Sequence, residues 1–112
     1  MQLQLPMLTY YEGPTLVDAQ FLKSIKSYRE AVQACWQLRK RRNMTMRTLA
    51  EEAQLYPSHV TSYLSSKTGQ RNLPADHIPE FEVACGNRCI TQWLTAQAEL
   101  TILETFVARK AA

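Results

Sequence analysis

The sequence predicts an all-α domain of about five helices with a short N-terminal arm, and three observations carry that expectation. Apolar residues recur at threes and fours over long stretches from Asp18 onward. The punctuation between those stretches is helical, with Thr45, Pro57 and Gly86 at the places where caps and breaks belong. At 112 residues the chain supports one core and excludes a large two-domain enzyme, while 46% hydrophobic and 21% charged residues exclude wholesale disorder.

The arm covers residues 1–17. Leu3 and Leu5 alternate as in a short edge strand, but Pro6 and Pro14 interrupt it. The first helix is expected over roughly 18–41, with Phe21, Leu22, Ile25, Tyr28, Val32, Cys35, Trp36 and Leu38 inside and Lys23, Lys26, Arg29, Glu30 and Arg39 on its surface. It ends in the cationic run Arg39-Lys40-Arg41-Arg42-Asn43, which suits a helix C-terminus and reads either as a solvated end or as a phosphate contact.

Thr45 caps a short second helix through Ala53, with Met46, Leu49, Ala50 and Ala53 facing inward. Gln54-Leu55-Tyr56 is a tight turn, and Pro57 opens a third helix at the position where a missing N–H costs nothing. Val60, Tyr63 and Leu64 give that helix a buried side, opposite a small polar side of Ser58, His59, Thr61, Ser62 and Ser65. A glycine-containing loop follows, with Lys67 and Arg71 as its cations. A fourth helix is expected from about Pro74 to Ala84, burying Ile78, Phe81 and Cys85 and stopping at Gly86-Asn87. A fifth, from about Cys89 to Arg109, carries Ile90, Trp93, Leu94, Leu100, Leu103 and Val107.

Charge is unevenly placed. The total is only +3, yet residues 23–71 hold ten basic side chains against the three acids Glu30, Glu51 and Glu52, between mildly acidic ends. A polyanion would meet this chain at its centre. Three cysteines cannot all pair within one chain, and Cys35 and Cys85 lie in apolar patterns, which points to reduced thiols in the cytoplasm. The start MQLQLPMLTYY lacks the basic and apolar regions of a secretory signal, and no run nears the about 18 apolar residues a membrane span requires, so no membrane partner is expected. His59 and His77 lack the further ligands a zinc site needs, and the spacing of Cys85 and Cys89 straddles a helix break. No phosphate-binding glycine loop or nucleophile motif is present, so neither an enzyme nor a cofactor is expected.

The segment from Met44 to Leu64 resembles the helix-turn-helix of phage repressors and related bacterial transcription regulators, the lambda-repressor-like family; a looser helical fit runs from 30 to 84. Leu49-Ala50, Ala53, the turn hydrophobe Leu55 and Val60 stand at the positions that set the crossing of the two helices. The sequence departs from that pattern at Gln54, where the family usually has glycine, and at Tyr56, where it often has a small polar cap. The resemblance implies a double-stranded DNA partner, with Ser58, His59, Thr61 and Ser62 reading base edges and Arg41, Arg42, Arg47, Lys67, Arg71 and Asn72 on the backbone. It also implies a helix-turn-helix domain over 18–88 and a C-terminal helix over 89–112 available for dimerisation; a homodimer is expected because one short helix covers a half-site. The competing reading is a protein-interaction or antitoxin-like adaptor on the same scaffold, favoured by Pro57 in the recognition region and opposed by the basic centre.

Overall fold

The computed structural model describes residues 13–111, and among them the architecture is an all-α bundle of six helices with no sheet. These are α1 (Ala19–Lys23), α2 (Tyr28–Gln37), α3 (Met46–Glu52), α4 (Pro57–Tyr63), α5 (Ile78–Cys85) and α6 (Cys89–Ala111). The alternating Leu3 and Leu5 lie outside the described residues. Residues 13–17 run alongside the α5–α6 junction: Thr15 N–H donates to the Gly86 carbonyl at 3.1 Å, and Arg88 N–H donates to the Thr15 carbonyl at 2.9 Å.

The single helix expected over 18–41 is two helices, which raises the count from about five to six. Ser27 is extended and its hydroxyl accepts from Glu30 N–H, while the Glu30 carboxylate accepts from Lys26 N–H at 3.0 Å. That reciprocal cap starts α2 afresh at Tyr28, and the Ser24 hydroxyl closes α1 by donating to the Phe21 carbonyl at 2.6 Å. The signal Ser27-x-x-Glu30 stands in the sequence, but apolar periodicity runs straight across it.

The Thr45 cap holds as expected, its hydroxyl accepting from Thr48 N–H at 3.2 Å. Leu49, Ala50 and Ala53 are fully buried, but Met46 is not the inward residue expected of it, being 38% exposed. As the first helical residue its Cα–Cβ bond leans past the helix end, and Met44, just before the Thr45 cap, fills the core instead. The fourth expected helix begins later than Pro74: a 3-10 turn over Ala75–His77 leads into α5, with Pro79 in its first turn. Gly86 ends α5 with φ +85°, which favours glycine, and a Cβ there would sit 2.8 Å from the Lys40 side chain, which would have to shift.

α6 begins inside the core rather than after it. It packs chiefly on α2, with Cys89 and Ile90 fully buried and the Trp93 indole donating to the Ile25 carbonyl at 3.0 Å. Its N-terminus is closed by two buried polar residues that periodicity did not single out. Asn87 accepts from Cys89 N–H and donates to the Cys35 carbonyl, while the fully buried Glu82 accepts from both Thr91 N–H and Thr91 hydroxyl at 2.7 Å and pairs with Arg88 at 3.3 Å. A carboxylate is tolerated there because these donors and the positive helix end replace its water.

All three thiols are free and buried. The hydrogen bond to Cys85, then burial, pushes Cys35 far above the usual thiol range, and burial with the nearby Glu82 charge raises Cys89 to about 11. Cys35 and Cys89 are therefore protonated core side chains. Among the described residues no helix is long and apolar enough to cross a membrane.

Candidate nucleic-acid interface

The candidate site is built on α3 and α4 and on the loop that follows them. Between the helices Gln54 adopts φ +59°, so the left-handed turn that glycine would make easily is made here by glutamine, at a cost of about 1 kcal/mol. Leu55 N–H donates to the Ala50 carbonyl at 2.8 Å and closes the turn. Tyr56 occupies the N-cap of α4 without a side-chain cap, and Pro57 follows at the start of the helix. Val60 and Tyr63 then anchor α4 in the core.

The four side chains expected to read bases are not equivalent. Ser58 and Thr61 are exposed on the outer face of α4. His59 is partly buried, its ring edge-on to Tyr56 at 5.0 Å and to Tyr63 at 6.3 Å between centroids. The Ser62 hydroxyl is engaged within the fold: it accepts from Arg71 N–H at 2.8 Å and donates to the Gln70 side chain at 3.0 Å. It therefore holds the loop that follows the helix.

The same division runs through the expected backbone contacts. Arg42, Arg47, Lys67 and Arg71 are exposed, with Arg47 in a loose 3.9 Å pairing to Glu51 one turn on. Arg41 is held by the Glu52 carboxylate, with one guanidinium nitrogen at 2.8 Å from it and the other also donating to the Ala84 carbonyl at 3.2 Å. Asn72 accepts from Arg29 at 2.9 Å. The cationic run 39–42 thus serves the fold as well: Lys40 N–H caps the Cys85 carbonyl, and Arg39 lies 4.0 Å over the Trp36 ring. No significant match to this chain is found among protein-family models, curated proteins or solved structures.

Arg29 organises this region, although periodicity assigned it to the solvent-facing surface of a long helix. Its guanidinium donates to the carbonyls of Ser62, Tyr63 and Ser65 at the end of α4, and to those of Gln70 and Arg71 and the Asn72 side chain in the loop, all within 2.7–3.1 Å. One turn along α2, Gln33 donates to the Leu64 carbonyl and the Ser66 hydroxyl. Tyr28 completes the set by donating to the Leu73 carbonyl at 2.7 Å, and burial, helped by the Glu82 charge, pushes its phenol up to about 12. One face of α2 therefore fixes where Lys67 and Arg71 stand. A local reading of 58–72 has no access to this, because the partner lies more than thirty residues upstream.

Arg41 and Glu52 give a pH-dependent prediction. The hydrogen bond from Arg41 holds the Glu52 carboxyl below its ordinary range. Such a group contributes stability above its unfolded-state pKa, and loses it as pH falls through the lower folded value. Both side chains are about half exposed, so solvent screening keeps the contribution to about 1 kcal/mol or less. Glu52→Gln should lower the unfolding midpoint slightly at pH 7 and match the parent chain once the pH is below the folded pKa. Equal destabilisation across the whole range would assign the effect to packing.

Proposed function

We propose that this chain is a sequence-specific double-stranded DNA-binding transcription regulator of the phage-repressor kind, acting as a homodimer with α4 in the major groove. The observation that carries the reading is the outer face of α4, where exposed Ser58 and Thr61 are flanked in sequence by exposed Arg42 and Arg47 before the helix and Lys67 and Arg71 after it. Small hydroxyl side chains permit close approach to base edges and accept or donate there, while the cations set the register on phosphate. Pro57 brings no N–H to α4, and the His59 and Val60 amides both donate to the Tyr56 carbonyl, so in this reading the cationic side chains carry the phosphate contacts. Ser62 and Asn72 act indirectly, by holding the loop. The adaptor reading keeps one observation in its favour, the exposed apolar length of α6, which offers a surface to a protein partner.

Selection of binding sites from random duplexes, followed by footprinting, tests DNA binding and half-site spacing together. With a selected site, Ser58→Ala and Thr61→Ala should leave thermal unfolding unchanged and lower affinity by about 1–3 kcal/mol for that site alone. Val60→Ala, at a fully buried position, should lower folding stability by about 2 kcal/mol through the cavity it leaves. Equal losses on selected and random duplex would reassign Ser58 to phosphate. If Ser58, His59 and Thr61 can all be replaced without loss on either, α4 is not the reading helix and the adaptor stands.

A further inference from the structure

We infer that the distal half of α6 is a self-association surface on which a second copy of this chain lies antiparallel, deepening the homodimer reading proposed above. Leu100, Ile102, Leu103, Phe106 and Val107 are each 53–67% exposed. At 3.6 residues per turn, these five side chains fall within an arc of about 160° of the helix surface. A continuous apolar face of that breadth on a water-facing helix reaches the few hundred Å² that marks an interface.

Two charges lie within the same arc and select the occupant. Glu99 stands at its N-terminal end and Lys110 at its C-terminal end, with the ammonium 4.9 Å over the Phe106 ring. A second copy laid antiparallel, with the two-fold axis between Glu104 and Thr105, places Glu99 of each chain against Lys110 of the other. Leu103 then opposes Phe106, while Ile102 and Val107 lie at one level on the two flanks of the seam. A parallel copy sets Glu99 against Glu99 and Lys110 against Lys110. Charge complementarity therefore favours the antiparallel arrangement, while apolar burial supplies most of the attraction. Thr101 and Thr105 occupy the opposite side of the helix, where each hydroxyl donates to the carbonyl four residues back.

Sedimentation equilibrium of the full chain should show a reversible dimer. Phe106→Glu should leave a monomer with unchanged circular dichroism, whereas Thr101→Glu should dimerise as the parent does. Glu99→Lys, and separately Lys110→Glu, should raise the dimer dissociation constant about fivefold at low salt, and the two together should restore it. A parallel dimer predicts no change for either single swap. A monomer at every accessible concentration, a dimer indifferent to Phe106→Glu, or single swaps without effect would each overturn the inference. Binding of the Phe106→Glu monomer to a single DNA half-site separates the two failures: if the half-site is still bound while no dimer forms in the parent chain, the DNA reading survives and the antiparallel dimer does not.

Discussion

Affinity for a selected duplex should fall by about ten-thousandfold as salt rises from about 50 to about 200 mM. The expectation follows from the four exposed cations Arg42, Arg47, Lys67 and Arg71 around α3 and α4, which a homodimer presents twice. Each phosphate neutralised releases a condensed counterion and adds roughly 0.9 to the slope of log affinity against log salt, so eight contacts give a slope near about −7. Arg47→Ala or Lys67→Ala should each make the slope shallower by about 2 per dimer, and should weaken selected and random duplex alike. Arg41→Ala should leave the slope nearly unchanged, since Glu52 already balances that guanidinium. A flat titration by the parent chain would remove the electrostatic basis of DNA binding.

Arg29→Ala should lower the folding free energy by about 3 kcal/mol, or roughly 10–20 °C in Tm for a domain of this size. The guanidinium serves six acceptors at once, five of them carbonyls that terminate α4 or follow in its loop at Ser62, Tyr63, Ser65, Gln70 and Arg71, the sixth being the Asn72 side chain. Water can reach the more exposed of these in the variant, which limits the loss. Arg29→Lys should recover only part of it, because a compact ammonium lacks the planar fork that spans both helix end and loop. Variants that still fold should bind DNA more weakly through misplaced Lys67 and Arg71. Thermal unfolding followed by duplex titration measures both effects, and an unchanged Tm would show that the loop is held by other contacts.

Local sequence was sufficient for much of the fold. Thr45 as cap, Ala53 and Leu55 around a left-handed Gln54, Pro57 opening α4 and Gly86 ending α5 are all governed by interactions within a few residues, so their chemistry can be read where it stands. The same holds for Leu49, Ala50, Val60 and Phe81, whose spacing alone assigns them to a buried face. The break at Ser24–Ser27 was equally local, but it competed with an apolar period that continues in phase on both sides.

Long-range placement governs what periodicity does not carry. Arg29, Arg41 and Asn72 are cations and an amide in positions that suit a solvated surface, and apart from the Met44 sulfur beside Arg41 the partners named above are 11 to 43 residues distant. Glu82 has the charge of a surface residue and a wholly buried position, stabilised by the N-terminus of a helix that begins after it. Polar side chains carry no hydrophobic periodicity, so whether one faces water or closes another element depends on which backbone donors and carbonyls the packed helices bring to it. The division of the candidate site follows from that physics: Ser58 and Thr61 remain on an outer face because the core takes Val60 and Tyr63, whereas Ser62, one residue on from Thr61, turns inward to a loop that only the folding of α2 against α4 brings within reach.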